Sequence, residues 1–73
     1  MKLIVTFKGT TQAMAWEKRC KEKGLPGRLI PLPPQIDAGC GLAWLASLAD
    51  KKTITKAVDE HRLQYAQILE LEL

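Results

Sequence analysis

Residues 29–43 of this sequence, L-I-P-L-P-P-Q-I-D-A-G-C-G-L-A, concentrate what thiol chemistry needs. Cys40 stands between Gly39 and Gly41, so neither neighbour has a side chain to shield the sulfur from a bulky reagent or a second protein. Glycines also admit positive φ, which lets backbone N–H groups converge on an anion. A thiolate or a persulfide is such an anion. The same tripeptide also describes a tight turn whose cysteine is a small buried hydrophobe. Asp37 lies three residues upstream. It suits a turn, and its charge would oppose a nearby thiolate. The other reactive side chains are Cys20 and His61. With two cysteines and one histidine, the chain falls short of the roughly four ligands of a zinc site, and no metal or cofactor is expected. No Ser/His/Asp or Cys/His constellation can be assembled around a single histidine that lacks an evident orienting partner, so the chain does not read as an enzyme.

The elements that must position Cys40 follow from periodicity. Residues 2–7 alternate, with Leu3, Val5 and Phe7 on one side, and predict a strand with one mostly buried face. Thr10 or Thr11 can cap a helix on which Ala13, Trp16 and Cys20 form the apolar stripe, which makes Cys20 core filler. That helix stops at Gly24, with Pro26 just beyond. Residues 28–33 are extended, and Pro31 and Pro33 lack N–H donors, so this strand belongs at a sheet edge. Residues 42–48 are apolar enough for a central strand, with Trp44 on the buried side. Asp50 or Thr53 can start a second helix bearing Ile54, Ala57, Val58 and His61 on one face. Leu69, Leu71 and Leu73 alternate with Glu70 and Glu72 in a last strand. The order is βαββαβ, which predicts an α+β, ferredoxin-like domain over residues 1–73: an antiparallel sheet with two helices on one face. The other face would carry Ile4, Thr6, Ala43 and Leu45, apolar enough to meet a partner or a second copy of the chain as a homodimer.

Composition narrows the partners. The chain has 73 residues, 47% of them hydrophobic, and a net charge of +3, the values of a small folded domain. Basic residues cluster early, from Lys8 to Arg28, and acidic ones late. That patch is the solvated face of a helix. No RNP-like motif, phosphate loop or helix-turn-helix spacing supports nucleic-acid binding. The apolar run at residues 3–7 is too short for a signal peptide, and no segment is long enough to span a membrane, so a cytoplasmic location with reduced thiols is expected.

Thr11, Ala13 and Glu17, then residues 25–27, then L-I-P-L-P at 29–33 and G-C-G-L at 39–42, resemble the DUF3343 family of selenium/sulfur carrier-like proteins. The resemblance is clear over residues 1–48. It implies that Cys40 is the carrier thiol, holding a persulfide or selenopersulfide between a cysteine desulfurase-type donor and a selenium or sulfur acceptor protein. Gly39 and Gly41 would leave room for the partner's active site, and Arg28 could help hold the anion. The C-P-x-P motif of TusA-type sulfur carriers is absent, so their mechanism is not carried over. The alternative is an interaction or regulatory module that uses the open sheet face, with Cys40 structural. A third reading, a Cys20–Cys40 redox pair, conflicts with the predicted burial of Cys20.

Overall fold

A computed structural model of the chain describes residues 1–36 and 40–72. The elements run β1 (Lys2–Thr6), α1 (Thr10–Lys23), β2 (Arg28–Pro31), β3 (Leu42–Ser47), a 3-10 turn (Leu48–Asp50), α2 (Lys51–His61) and β4 (Gln67–Leu71). The four strands form one antiparallel sheet in the order β2-β3-β1-β4. This is the ferredoxin-like α+β arrangement expected from the sequence. β2 is an edge strand, and its terminal Pro31 lies opposite Leu42, where a missing donor costs the sheet least. Among the described residues, no helix is long and apolar enough to cross a membrane.

The core lies between the sheet and the helices. Leu3, Val5 and Phe7 from β1 and its exit meet Trp44 and Ala46 from β3. Ala13, Trp16 and Cys20 come down from α1, and Ile54 and Ala57 from α2. The i, i+3, i+7 stripe of α1 is thus its buried face. The Phe7 and Trp16 rings meet at a centroid distance of 5.6 Å, tilted by 60°, a favourable aromatic geometry.

Both faces of β1 are buried, not one as expected. Ile4 and Thr6, on the face without helices, are as inaccessible as Leu3 and Val5. β1 is an inner strand, so its neighbours lap over it: Ile4 is flanked by Leu45 on β3 and Leu69 on β4. Thr6 also fixes β4. Its hydroxyl accepts from the Gln67 N–H at 3.1 Å, and its carbonyl accepts from the Ala66 N–H at 2.8 Å. β4 therefore starts two residues before the expected 69. Glu70 ends on the helix side of the sheet, where Lys51 at the start of α2 reaches it at 2.6 Å. Leu69 and Leu71 share the helix-free face with Ile4.

The helix ends also differ from the expected caps. Gly9, and neither threonine, is the N-cap of α1. It offers no side chain, and the Gln12 amide oxygen instead accepts from the Lys8 N–H at 2.8 Å. At the other end, Gly24 is left-handed and donates to the Lys21 carbonyl, while Leu25 donates to that of Cys20, a Schellman closure. α2 closes in the same way, except that Arg62, with φ +53, holds the position glycine usually fills.

One contact ties the α1–β2 turn to the central strand. The Trp44 indole N–H donates to the Pro26 carbonyl at 3.1 Å. Gly27, with φ +117, lies so close beneath the ring that a Cβ there would come within 2.2 Å of the indole nitrogen and 2.7 Å of the Leu45 carbonyl. Gly27→Ala should therefore cost far more than Gly24→Ala. At Gly24 none of the described residues obstructs a Cβ, and the penalty is only the ~1–2 kcal/mol of left-handed strain. Urea midpoints of the two variants check this. Trp16→Ala should lose about 3–5 kcal/mol, the range for truncating a large buried aromatic, and leave the chain at best marginally folded; a midpoint near the parent's would show that the ring is dispensable.

Candidate thiol site

Strand pairing decides which residues can meet at Cys40. Thr6 faces Ala43, so the end of β1 adjoins the start of β3. Cys40 lies two residues before β3, at this same end of the sheet. Lys8, the Gly9 cap and the first turn of α1 follow directly from β1 here. That first turn contains no acidic residue and, among the described residues, receives no side-chain cap, so the helix itself does nothing to offset the partial positive charge of its terminus.

Gly41 has φ +74, and none of the described residues lies within 4 Å of where its Cβ would be. Its contribution is therefore conformational: it lets the chain turn in the left-handed region directly after the cysteine. The neck of the loop is closed by the Leu32 N–H, which donates to the Gly41 carbonyl at 2.9 Å. Cys40 is a half-buried free thiol. Its Sγ donates to the Leu42 carbonyl at 3.5 Å, and its apolar side packs against the core. Gly39 and Asp37 lie outside the described residues.

Arg28 is placed elsewhere. It opens β2 opposite Leu45, three residues from Pro31, which pairs with Leu42. At ~3.3 Å per strand residue, that is about 10 Å along β2, at the end away from Cys40. Its neighbours there are Lys2, Gly27 and Ser47, around a shallow depression at the sheet edge. The cation on the Cys40 end of β1 is Lys8, which proximity in sequence to Cys40 could not reveal. The strand order reveals it once β1 is placed beside β3.

Cys20 occupies the core, 1% exposed, and burial pushes its thiol up from 9.0 to about 11. α1 starts at the Cys40 end and carries Cys20 about 15 Å along its axis from there, against the roughly 7 Å between Cα atoms that a disulfide spans. His61 ends α2, half-buried, beside Arg62 and Leu63. Among the described residues, no three His, Cys, Asp or Glu side chains gather in a way that could hold a metal.

The fold and site define a small α+β protein with one thiol set on a glycine turn at a sheet end. The chain belongs to the family described as putative Se/S carrier protein-like, which it matches over residues 2–70. No curated protein and no solved structure matches it.

The two cysteines should separate cleanly in timed alkylation with peptide mass analysis. At pH 7–8, Cys40 labels and Cys20 does not. Because the folded state raises the Cys20 pKa, the stability linked to its neutral form is fully present below pH 9.0 and is lost as pH rises toward about 11. Labelling of Cys20 should therefore appear only in that alkaline window, together with a falling urea midpoint. Native-state labelling of Cys20 ahead of Cys40 at neutral pH would reverse the assignment.

Proposed function

We propose that Cys40 carries sulfur or selenium between two proteins, as a persulfide or selenopersulfide. The observation that carries this reading is the setting of its sulfur: a half-buried free thiol on a left-handed glycine turn, while the only other cysteine is sealed in the core. Membership of the carrier-like family supports it.

The step is a thiol–persulfide exchange. The Cys40 thiolate attacks the terminal sulfur of a cysteine persulfide on the donor. The donor's S–S bond breaks, its cysteine leaves as a thiolate, and a new S–S bond forms on Cys40. Electrons balance without an oxidant, and the proton lost by Cys40 goes to the leaving thiolate or to water. A cysteine desulfurase is the donor class that presents such a persulfide. Delivery to the acceptor is the same exchange, with Cys40 now the leaving group.

The surroundings suit both states. The thiol gives its proton to the Leu42 carbonyl. A persulfide anion has no proton to give, so the sulfur swings away from that carbonyl. Lys8 and the uncapped start of α1, at the same sheet end, favour the negative charge. The exposed Lys18, Arg19, Lys21 and Lys23 on α1 offer a basic surface for an acidic donor. The donor and acceptor supply proton transfer and activation, so the chain needs no general base of its own and does not act as an enzyme.

Incubation with a cysteine desulfurase and cysteine, followed by intact-mass measurement, tests this. The parent and Cys20→Ala should gain one sulfur atom, removed by reductant, and Cys40→Ser should gain none. Equal loading of Cys40→Ser would move the role to Cys20. No gain with sulfur or selenide donors would favour an interaction module that uses the helix-free sheet face, with Ile30, Leu45 and Leu69 as its contact surface.

A further inference from the structure

The two edges of the sheet, β2 and β4, are not alike. In β2 the Leu32 N–H turns inward, to the Gly41 carbonyl. Backbone groups alternate along a strand, so the β2 positions whose N–H would face outward are Leu29 and Pro31. Pro31 has no N–H, which blunts this edge against a further strand. β4 carries no such block. Its Gln67 N–H turns inward, to the Thr6 hydroxyl, and the Ala66 N–H does the same, to the Thr6 carbonyl. Two successive inward donors make a bulge at the start of the strand. Beyond it the alternation turns Leu69 and Leu71 inward. The N–H and C=O groups of Ile68 and Glu70 therefore point outward, and among the described residues no strand pairs with them. The strand, Q-I-L-E-L, contains no proline, and its one charged side chain, Glu70, is paired with Lys51.

We infer that β4 pairs, antiparallel, with the β4 of a second copy of the chain, so that the two sheets join edge to edge in a two-fold dimer. The register follows from the groups on offer. Centred on Leu69, each copy's Ile68 and Glu70 meet the other's Glu70 and Ile68, and every outward N–H and C=O within β4 finds a partner. Leu69 then faces its own counterpart at the close spacing of a non-hydrogen-bonded pair, ~4.5 Å between Cα atoms, beside Ile4 on the helix-free side. Centring on Glu70 would set two carboxylates directly opposite, which is destabilising. Centring on Ile68 would call on Ala66, whose N–H is already given to Thr6. The register that remains places no like charges opposite one another. That self-complementarity favours a second copy over an arbitrary partner strand. An edge contact of this length falls below the ~1,600 Å² of a standard interface, so the association is weak and reversible. It uses neither Cys40 nor the carrier reading.

Sedimentation equilibrium and amide hydrogen exchange on the full chain, from about 10 µM to about 1 mM, test this across the range expected of so small an interface. The parent should pass from monomer to dimer. Exchange at Ile68 and Glu70 should slow as the dimer forms, while the outward amide of the blunted edge, Leu29, keeps its rate. In a mixture of isotope-labelled and unlabelled chains, a through-space contact between the α-protons of Leu69 and its counterpart should report the register. Glu70→Pro removes an outward donor that plays no part in the monomer's own ladder, and should weaken the dimer about tenfold or more. Glu70→Gln keeps the N–H and should stay within about threefold of the parent. Where Glu70→Pro lacks a parent-like urea midpoint, the exchange and mixed-label results on the parent decide. A chain still monomeric at about 1 mM overturns the inference and leaves the edge to another protein's strand. So does a dimer in which Ile68 and Glu70 exchange as in the monomer, one whose intermolecular contacts join Ile30 or Leu45 in place of Leu69, or a folded Glu70→Pro that dimerises like the parent.

Discussion

The position of the thiol depends on the contact between Trp44 and the turn that precedes β2. A buried indole needs an acceptor for its N–H, and the Pro26 carbonyl supplies it. That bond is possible only because Gly27 has no side chain at the point where backbone and ring meet. The turn is thereby held against the central strand, and β2 must leave it alongside β3, with Leu29 opposite Trp44. Once that register is set, Pro31 falls opposite Leu42 and the loop bearing Cys40 closes at one end of the sheet. A residue at position 27 that pushed the ring aside would release the edge strand and, with it, the loop.

Much of this frame was legible in the sequence, because its cause is local. The stripe of Ala13, Trp16 and Cys20 follows from 3.6 residues per turn, and the edge position of β2 follows from the missing donor of Pro31. Where the sequence misled, distant residues decided. The start of β4 is set by Thr6, whose hydroxyl and carbonyl take N–H groups some sixty residues away. Alternation in residues 67–73 reads equally well in either frame length and cannot locate that bond. The cap of α1 has a similar explanation. Threonine is the better capping residue by type, but Gly9 takes the cap, and Gln12 satisfies the Lys8 N–H instead.

The thiol site was half legible. A cysteine before a glycine that must turn left-handed is a local signal, and Gly41 adopts that conformation. The electrostatics were not local. Arg28 is twelve residues from Cys40 in sequence, but a strand that runs toward the cysteine puts its own first residue at the far end. Lys8 is thirty-two residues away and shares the sheet end, because β1 and β3 are antiparallel neighbours with Thr6 opposite Ala43. In an α+β sheet, strand direction is a better guide than sequence distance to which charges surround a loop.

The two tryptophans make a further distinction. Both are core residues, Trp16 on α1 and Trp44 on β3, and both carry a donor that burial penalises. Trp44 resolves the penalty inside the protein, through Pro26 and at the expense of freedom at Gly27. Trp16 finds no acceptor among the described residues, and its ring meets that of Tyr65 in a T-shaped arrangement at a centroid distance of 6.2 Å. An unmet indole donor costs on the order of 1–3 kcal/mol, and a left-handed arginine adds roughly 1–2. A chain of this length has about 4–11 kcal/mol of total stability, so these two costs are a considerable fraction of it. Glycine at 62 would remove one of them without disturbing a buried contact.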